Sequence, residues 1–307
     1  MKLALIRRHF SATGGAELYL QRLLQALAAA GHKLHLFTES WPQAPTGVTV
    51  HSLAVAGSRA QRPRLFAEAA RCAVDRENFD CVFSLDRTLQ QDVYRAGDGV
   101  HRVWLQRRRQ FASPWRRLFG GRGAFHRTML ELETLTFDPR NTRHVIANSA
   151  MVRSEILEHF AFPAERVHVI RNGVDVARVR GGDRAAARAR FGVREDDFLL
   201  LFVGSGWERK GLPFLLRTLR RCHTGSPAEL ARFAEGADHG AIEAARLGRA
   251  PDSAPLQARE LAARIKLLVV GKGRKPLCCP KNVIFAGAMA DVENAYAAAD
   301  LFVFLPI

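Results

Sequence analysis

No stretch of this 307-residue sequence approaches the roughly 20 consecutive apolar residues that a membrane-spanning helix needs. The opening MKLALIRRHF is not a secretory leader: its apolar run, Leu3 to Ile6, is short and closes on Arg7-Arg8. A cysteine pattern is missing too. Cys72, Cys81, Cys222, Cys278 and Cys279 form an odd set without C-x-x-C or histidine spacing. That excludes a zinc finger and fits reduced thiols in a cytosolic protein. Acid is scarce: 46 Lys and Arg stand against 30 Asp and Glu, a net charge of +16. The partner or the nearby surface is therefore expected to be negative, whether nucleic acid, anionic lipid or a phosphorylated substrate. Composition does not choose among the three.

What the chain does hold is apolar material, 48% of its residues, enough for buried cores. Its length exceeds the usual single domain, so two are expected. Short apolar strands alternate with helical patterns. In the first half, strands are expected at Lys2–Ile6, Lys33–Phe37, Val48–Leu53, Asp80–Leu85 and His144–Ala147. A helix opens at Gly14-Gly15 with Leu20, Leu23, Leu24 and Leu27 on one face, and another covers Arg64–Arg76. Ser149 is a suitable N-cap for a helix carrying Val152, Ile156 and Phe160. In the second half, strands are expected at Val167–Ile170, Phe198–Val203, Ile265–Val270, Val283–Ala286 and Leu301–Leu305, with a helix at Asp291–Ala299. This alternation implies α/β architecture: two doubly wound Rossmann-like domains with parallel sheets covered on both faces. The boundary is expected in the RVHVIRNGVD stretch, giving units of residues 1–165 and 166–307. Ligand belongs at the carboxyl ends of the strands. Residues His223 to Ala263 read as an extra helical excursion with no evident function. The closing AAADLFVFLPI stops at an apolar strand where another loop and helix would follow, so a truncated second domain is expected.

Four stretches carry chemistry. In FLLLFVGSGWERKGL, Arg209 and Lys210 sit where a strand turns into a helix. Cations are unfavourable at the positive end of a helix, so either they are ordinary solvated charges or an anion belongs between them. Gly14-Gly15 lets backbone N–H groups approach an anion, although glycine pairs also start helices for steric reasons. The full G-x-G-x-x-G fingerprint is absent, which weakens a dinucleotide dehydrogenase. DVYRAGDGVHR places Asp92, Asp98 and His101 in a glycine-bounded loop, where residue types alone favour an ordinary turn over a carboxylate and imidazole facing a ligand. From Gly99 to Leu130 no acid occurs. Arg107, Arg108, Arg109, Arg116 and Arg117 are instead interleaved with Trp104, Phe111 and Trp115. A solvated face, a peripheral segment on anionic lipid and a nucleic-acid surface compete for that stretch.

Six segments, GGAELYLQRLLQALAAAGHKLHLFT, DVYRAGDGVHR, VHVIRNGVD, FVGSGWERKGL, LLVVGKG and ENAYAAADLFVFLP, occur in the order seen in retaining glycosyltransferases of the GT-B fold, family 4. The sequence most resembles the lipopolysaccharide-core glucosyltransferases of that family. The resemblance implies a hexosyltransferase that uses a nucleotide sugar, UDP-linked, on a lipopolysaccharide-core or related lipid-linked acceptor. No metal or resident cofactor is implied. It implies further that Gly14 and Gly15 lie by the donor phosphates, that Arg209 and Lys210 bind the diphosphate, and that Asp98 faces the reaction centre. Gly271 and the loop near Ala288 would flank the base. The catalytic set is then Asp98, Arg209 and Lys210, and the membrane or acceptor surface is Arg107, Arg108, Arg109, Trp115, Arg116 and Arg117. The family's paired acidic positions would follow Ile307 and are not in this sequence, so this chain is expected to lack competence. Expected partners are the nucleotide sugar, the lipid-linked oligosaccharide and an anionic surface at the inner face of the cytoplasmic membrane. A non-catalytic nucleic-acid-binding protein is the competing, less favoured reading.

Overall fold

The computed structural model describes residues 1–9, 15–41, 46–110, 123–224, 263–276 and 279–305, with residues 15–18 and 222–224 described for their backbone only. The chain divides into two units, Met1–Gly173 and Val174–Ile307.

The first unit is a seven-stranded parallel sheet in the order β3-β2-β1-β4-β5-β6-β7. Its strands are β1 (Lys2–Ile6), β2 (Lys33–Thr38), β3 (Val48–Ser52), β4 (Cys81–Ser84), β5 (Gln91–Ala96), β6 (Thr142–Ala147) and β7 (Val167–Val169). Helices α1 (Gly15–Ala29), α2 (Arg62–Val74), α3 (His101–Gln110), α4 (Ala124–Thr136) and α5 (Ala150–His159) connect them. Alternation along β1 explains why both faces are covered. Leu3 and Leu5 pack with Leu20 and Leu24 of α1, whereas Ala4 and Ile6 pack with Phe66 and Ala70 of α2. Full burial of each large side chain contributes about 1.5–3 kcal/mol. Ser149 caps α5 as expected, its side chain accepting from the Val152 amide at 3.2 Å.

The second unit is a four-stranded parallel sheet in the order β10-β9-β8-β11. It contains β8 (Phe198–Val203), β9 (Ile265–Val270), β10 (Val283–Gly287) and β11 (Leu301–Phe302), with helices α6 (Val176–Arg180), α7 (Arg184–Arg190), α8 (Leu212–Thr224) and α9 (Val292–Ala298). One face packs Phe202, Leu267 and Val269 against Leu212, Leu215 and Leu219 of α8. The other packs Leu199, Leu201 and Leu268 against Ala187, Ala295 and Ala298. The doubly wound α/β expectation holds in both units.

Three details depart from the sequence reading. The strand at Val167–Val169 pairs with β6 and closes the first sheet, so it does not open the second unit at residue 166. The division follows Gly173, after the Asn172-Gly173 turn. Residues 91–96 form an unanticipated strand, and Asp92 belongs to it rather than to a ligand-facing loop. Its carboxylate accepts from the Val82 amide at 2.9 Å and pairs with Arg143 at 3.3 Å, near the start of the strand and away from Asp98. Most of the His223–Ala263 excursion lies outside the described residues.

Candidate functional site

In the first unit the strand order reverses between β1 and β4, and the carboxyl ends of the strands carry a dense polar set. Arg8 pairs with Glu39 at 2.7 Å, and Arg62 pairs with the same carboxylate. The Arg8 amide donates to Asp86 at 2.7 Å, while Arg7 reaches Asp86 at 3.4 Å. Arg87 is nearly buried and pairs with the fully buried Glu133 at 3.0 Å. It also donates to the Gly99 carbonyl at 3.0 Å. Glu133 in turn accepts from the amides of His101 at 2.6 Å and Arg102 at 3.0 Å, so a carboxylate from α4 caps the start of α3. Arg95, buried in β5, lies 3.7 Å from the centre of the Tyr19 ring and donates to Asn172.

Asp98 stands exposed on the turn between β5 and α3, followed by Gly99 at φ +69°. Among the described residues it takes no hydrogen bond or ion pair. His101 lies three residues on, its Nε2 3.2 Å from His126 Nδ1. Burial pushes the His101 imidazole down to about 4, and the Arg87 charge and His126 act in the same direction. It is therefore neutral at physiological pH, with a lone pair available.

Gly15 is the first residue of α1, as the helix-opening expectation requires; Gly14 lies outside the described residues. On α3, Arg107 is committed to Glu155 at 2.6 Å, and Arg108 lies 5.3 Å from the centre of the Trp104 ring. Arg109 is exposed. Trp115, Arg116 and Arg117 lie outside the described residues. Arg107 is thus a structural ion pair more than a free surface charge.

In the second unit, Arg209 and Lys210 lie in the turn of residues 207–211 that joins β8 to α8. Among the described residues, no carboxylate pairs with either. Lys210 folds back over Gly204: a Cβ there would lie 2.7 Å from Lys210 Cδ and would collide with Nζ. Its ammonium also lies 6.0 Å from the centre of the Phe304 ring. Burial, then the charge of Arg209, lowers the Lys210 pKa. Gly271, at the end of β9, has φ +128° and approaches the Gly204 carbonyl too closely for a side chain. Its amide donates to the Gly287 carbonyl at 2.6 Å, next to exposed Ala288. The Lys272 amide donates to Ser205 Oγ at 3.2 Å. The carboxyl ends of β8, β9 and β10 therefore form one rim that gathers Gly204, Arg209, Lys210, Gly271 and Ala288, with backbone permitted to approach an anion.

Arg87, Glu133, Arg95 and Asn172 escaped the sequence reading. They are scattered along the chain, and no local spacing announces them.

Two parallel, doubly wound sheets with glycine-rich polar rims define the GT-B class of α/β proteins. Residues 13–178 match Glycosyltransferase Family 4, more than half of the chain, and the chain belongs to that family. Among solved structures, it resembles WaaG, a glycosyltransferase involved in lipopolysaccharide biosynthesis (TM-score 0.72, 20% identity, 99% of this chain and 75% of that one). It also resembles Anabaena HepE in complex with UDP-glucose (TM-score 0.61, 16% identity, 100% and 74%). Curated relatives include D-inositol 3-phosphate glycosyltransferases of Catenulispora acidiphila, 40% identical over 73 residues, and Geodermatophilus obscurus, 38% over 84 residues. The matches cover 24% and 27% of this chain but only 18% and 19% of those relatives. Among the described residues, no helix is long and apolar enough to cross a membrane.

Proposed function

We propose that the chain carries the substrate platforms of a retaining glycosyltransferase. It would move a hexose from a UDP-linked sugar to a lipopolysaccharide-core or related lipid-linked acceptor at the inner face of the cytoplasmic membrane. The second unit takes the donor and the first takes the acceptor. As the sugar leaves, negative charge grows on the diphosphate, and Arg209 and Lys210 stabilise it electrostatically. Gly204, Gly271 and the Ala288 loop keep the backbone close to the nucleotide. Gly15 provides a backbone N–H at the start of α1, and Gly14, outside the described residues, is proposed to act beside it. Exposed Asp98 accepts a hydroxyl of the sugar, and Arg109 adds to attraction for anionic lipid. The donor is a substrate, and no resident cofactor is invoked. HepE, solved with UDP-glucose, and WaaG support this reading as fold relatives.

The observation that carries the proposal is the pair of cations at the β8–α8 turn that have no acidic partner among the described residues. Titration of the chain with UDP-glucose tests it. Arg209→Ala and Lys210→Ala should each weaken binding by roughly 1.5–3 kcal/mol, the scale of a hydrogen bond to a charged group. Unchanged affinity in both variants would remove the donor role.

A second reading has the acceptor a phosphorylated polyol, in line with the names of the curated relatives. Three arginines, Arg7, Arg8 and Arg62, are paired with only two carboxylates, Glu39 and Asp86, and the positive charge left over at this rim favours it. Binding of inositol 3-phosphate, compared with a phosphate-free core oligosaccharide, separates the two acceptors.

A further inference from the structure

At the β2–β3 edge of its sheet, the first unit brings two imidazoles and a carboxylate together from three separate parts of the chain. His35 is on β2, His51 on the edge strand β3, and Glu77 precedes β4. His35 Nδ1 and His51 Nε2 are 2.8 Å apart, so one ring nitrogen donates and the other accepts. The ligand atoms of all three residues lie within 4.8 Å of one another. Lys2 Nζ holds Glu77 Oε2 at 2.7 Å. Phe37 and Phe79 flank the imidazoles, with ring centres 4.4 Å from His51 and 5.2 Å from His35 respectively.

We propose that His35, His51 and Glu77 form a binding site for a divalent transition cation, zinc(II) in the first instance, that staples the β2–β3 edge to the segment before β4. The site shares no residue with either strand-end rim and does not depend on the function proposed above. Two imidazole nitrogens and one carboxylate oxygen are the donor set that suits zinc, and three protein ligands leave one position for water. Bonds of 2.0–2.1 Å in a tetrahedron put ligand atoms about 3.3 Å apart. The imidazole pair needs to open by about half an ångström, and Glu77 must swing inward. Both motions are cheap. The histidines stand on adjacent strands that already fix their backbones, and Glu77 surrenders only an exposed, weak ion pair. Lys2 serves as a built-in competitor, its ammonium occupying the carboxylate until a metal arrives.

The test is titration of the chelator-treated chain with zinc(II), and with cobalt(II) for its visible absorption bands. One equivalent should bind and raise the unfolding temperature. His51→Gln and Glu77→Gln, checked for folding by circular dichroism, should each weaken uptake by at least about tenfold and abolish the thermal shift. Lys2→Met should tighten binding, a sign that a merely structural role for Lys2 would not produce. Absence of saturable uptake would overturn the proposal. So would uptake that survives both ligand variants but is lost on thiol alkylation or in His144→Gln, where His144 and His168 form a second pair at 3.2 Å.

Discussion

The two strand-end rims solve the same electrostatic problem in opposite ways. In the first unit, Arg8 and Arg62 share Glu39, and Arg87 is matched with a buried Glu133. These cations are committed to the fold. In the second unit, Arg209 and Lys210 follow two glycines and have no acidic partner among the described residues. The first rim is a closed network that holds loops in place. The second is an open one, and the proposal is that a bound anion supplies the missing compensation. Equal positive charge therefore has unequal meaning: paired and buried, it stabilises structure, whereas unpaired at a strand-to-helix turn it is available for binding.

The comparison breaks most visibly at Glu133. Glu133→Ala removes the partner of a nearly buried guanidinium and the acceptor for the amides of His101 and Arg102. Breaking a buried pair from one side costs about 3–5 kcal/mol because the other charge stays behind. Urea unfolding should show a loss of that size. A loss below about 1 kcal/mol would mean that Arg87 reaches water and that the first rim is as open as the second.

That pair also shows what a sequence hides. Nothing in the local sequence marks Glu133, and its partner lies 46 residues away. Strand β5 was invisible for a related reason. QDVYRA has neither an apolar run nor a clean alternation, because Gln91 is buried through bonds to Thr88 and Thr142, and Arg95 through Tyr19 and Asn172. Polar residues satisfied by distant partners defeat periodicity. The strands at Val167–Val169 and His144–Ala147 were both legible, but their pairing was not, since pairing depends on non-local contact. The placement of Arg209 and Lys210 at a strand-to-helix turn, by contrast, was legible because its signal is local: an apolar strand, two glycines, two cations and a leucine-spaced helix.

A smaller effect is expected from acid. His101 has its folded pKa pushed from 6.5 to about 4, mainly by burial. The unfolded chain therefore takes up the proton first as pH falls. The stability this residue allows is fully present above pH 6.5, declines as pH falls towards 4, and is constant below that. The nominal shift is discounted because the ring is half-buried, leaving roughly 1–2 kcal/mol. Unfolding measured across this window should lose that component in His101→Asn. An unchanged pH slope in the variant would show that the imidazole is hydrated in the folded state, and the first rim would lose one of its closed contacts.

The smallest expected change is the sharpest discriminator. Arg209→Ala and Lys210→Ala should leave folding stability within about 0.5 kcal/mol, as substitutions without buried partners do. Lys210→Ala is expected to be neutral to slightly stabilising, since burial and the adjacent Arg209 charge both disfavour its ammonium. The same two variants are expected to weaken UDP-glucose binding, so affinity and stability should move independently. Glu133→Ala should do the reverse, lowering stability whatever the donor does. Urea unfolding of all three variants, set beside donor titration of each, measures both quantities on one set of proteins. A loss of more than about 2 kcal/mol in Arg209→Ala or Lys210→Ala would place that cation among those committed to the fold, and the contrast between the two rims would fail.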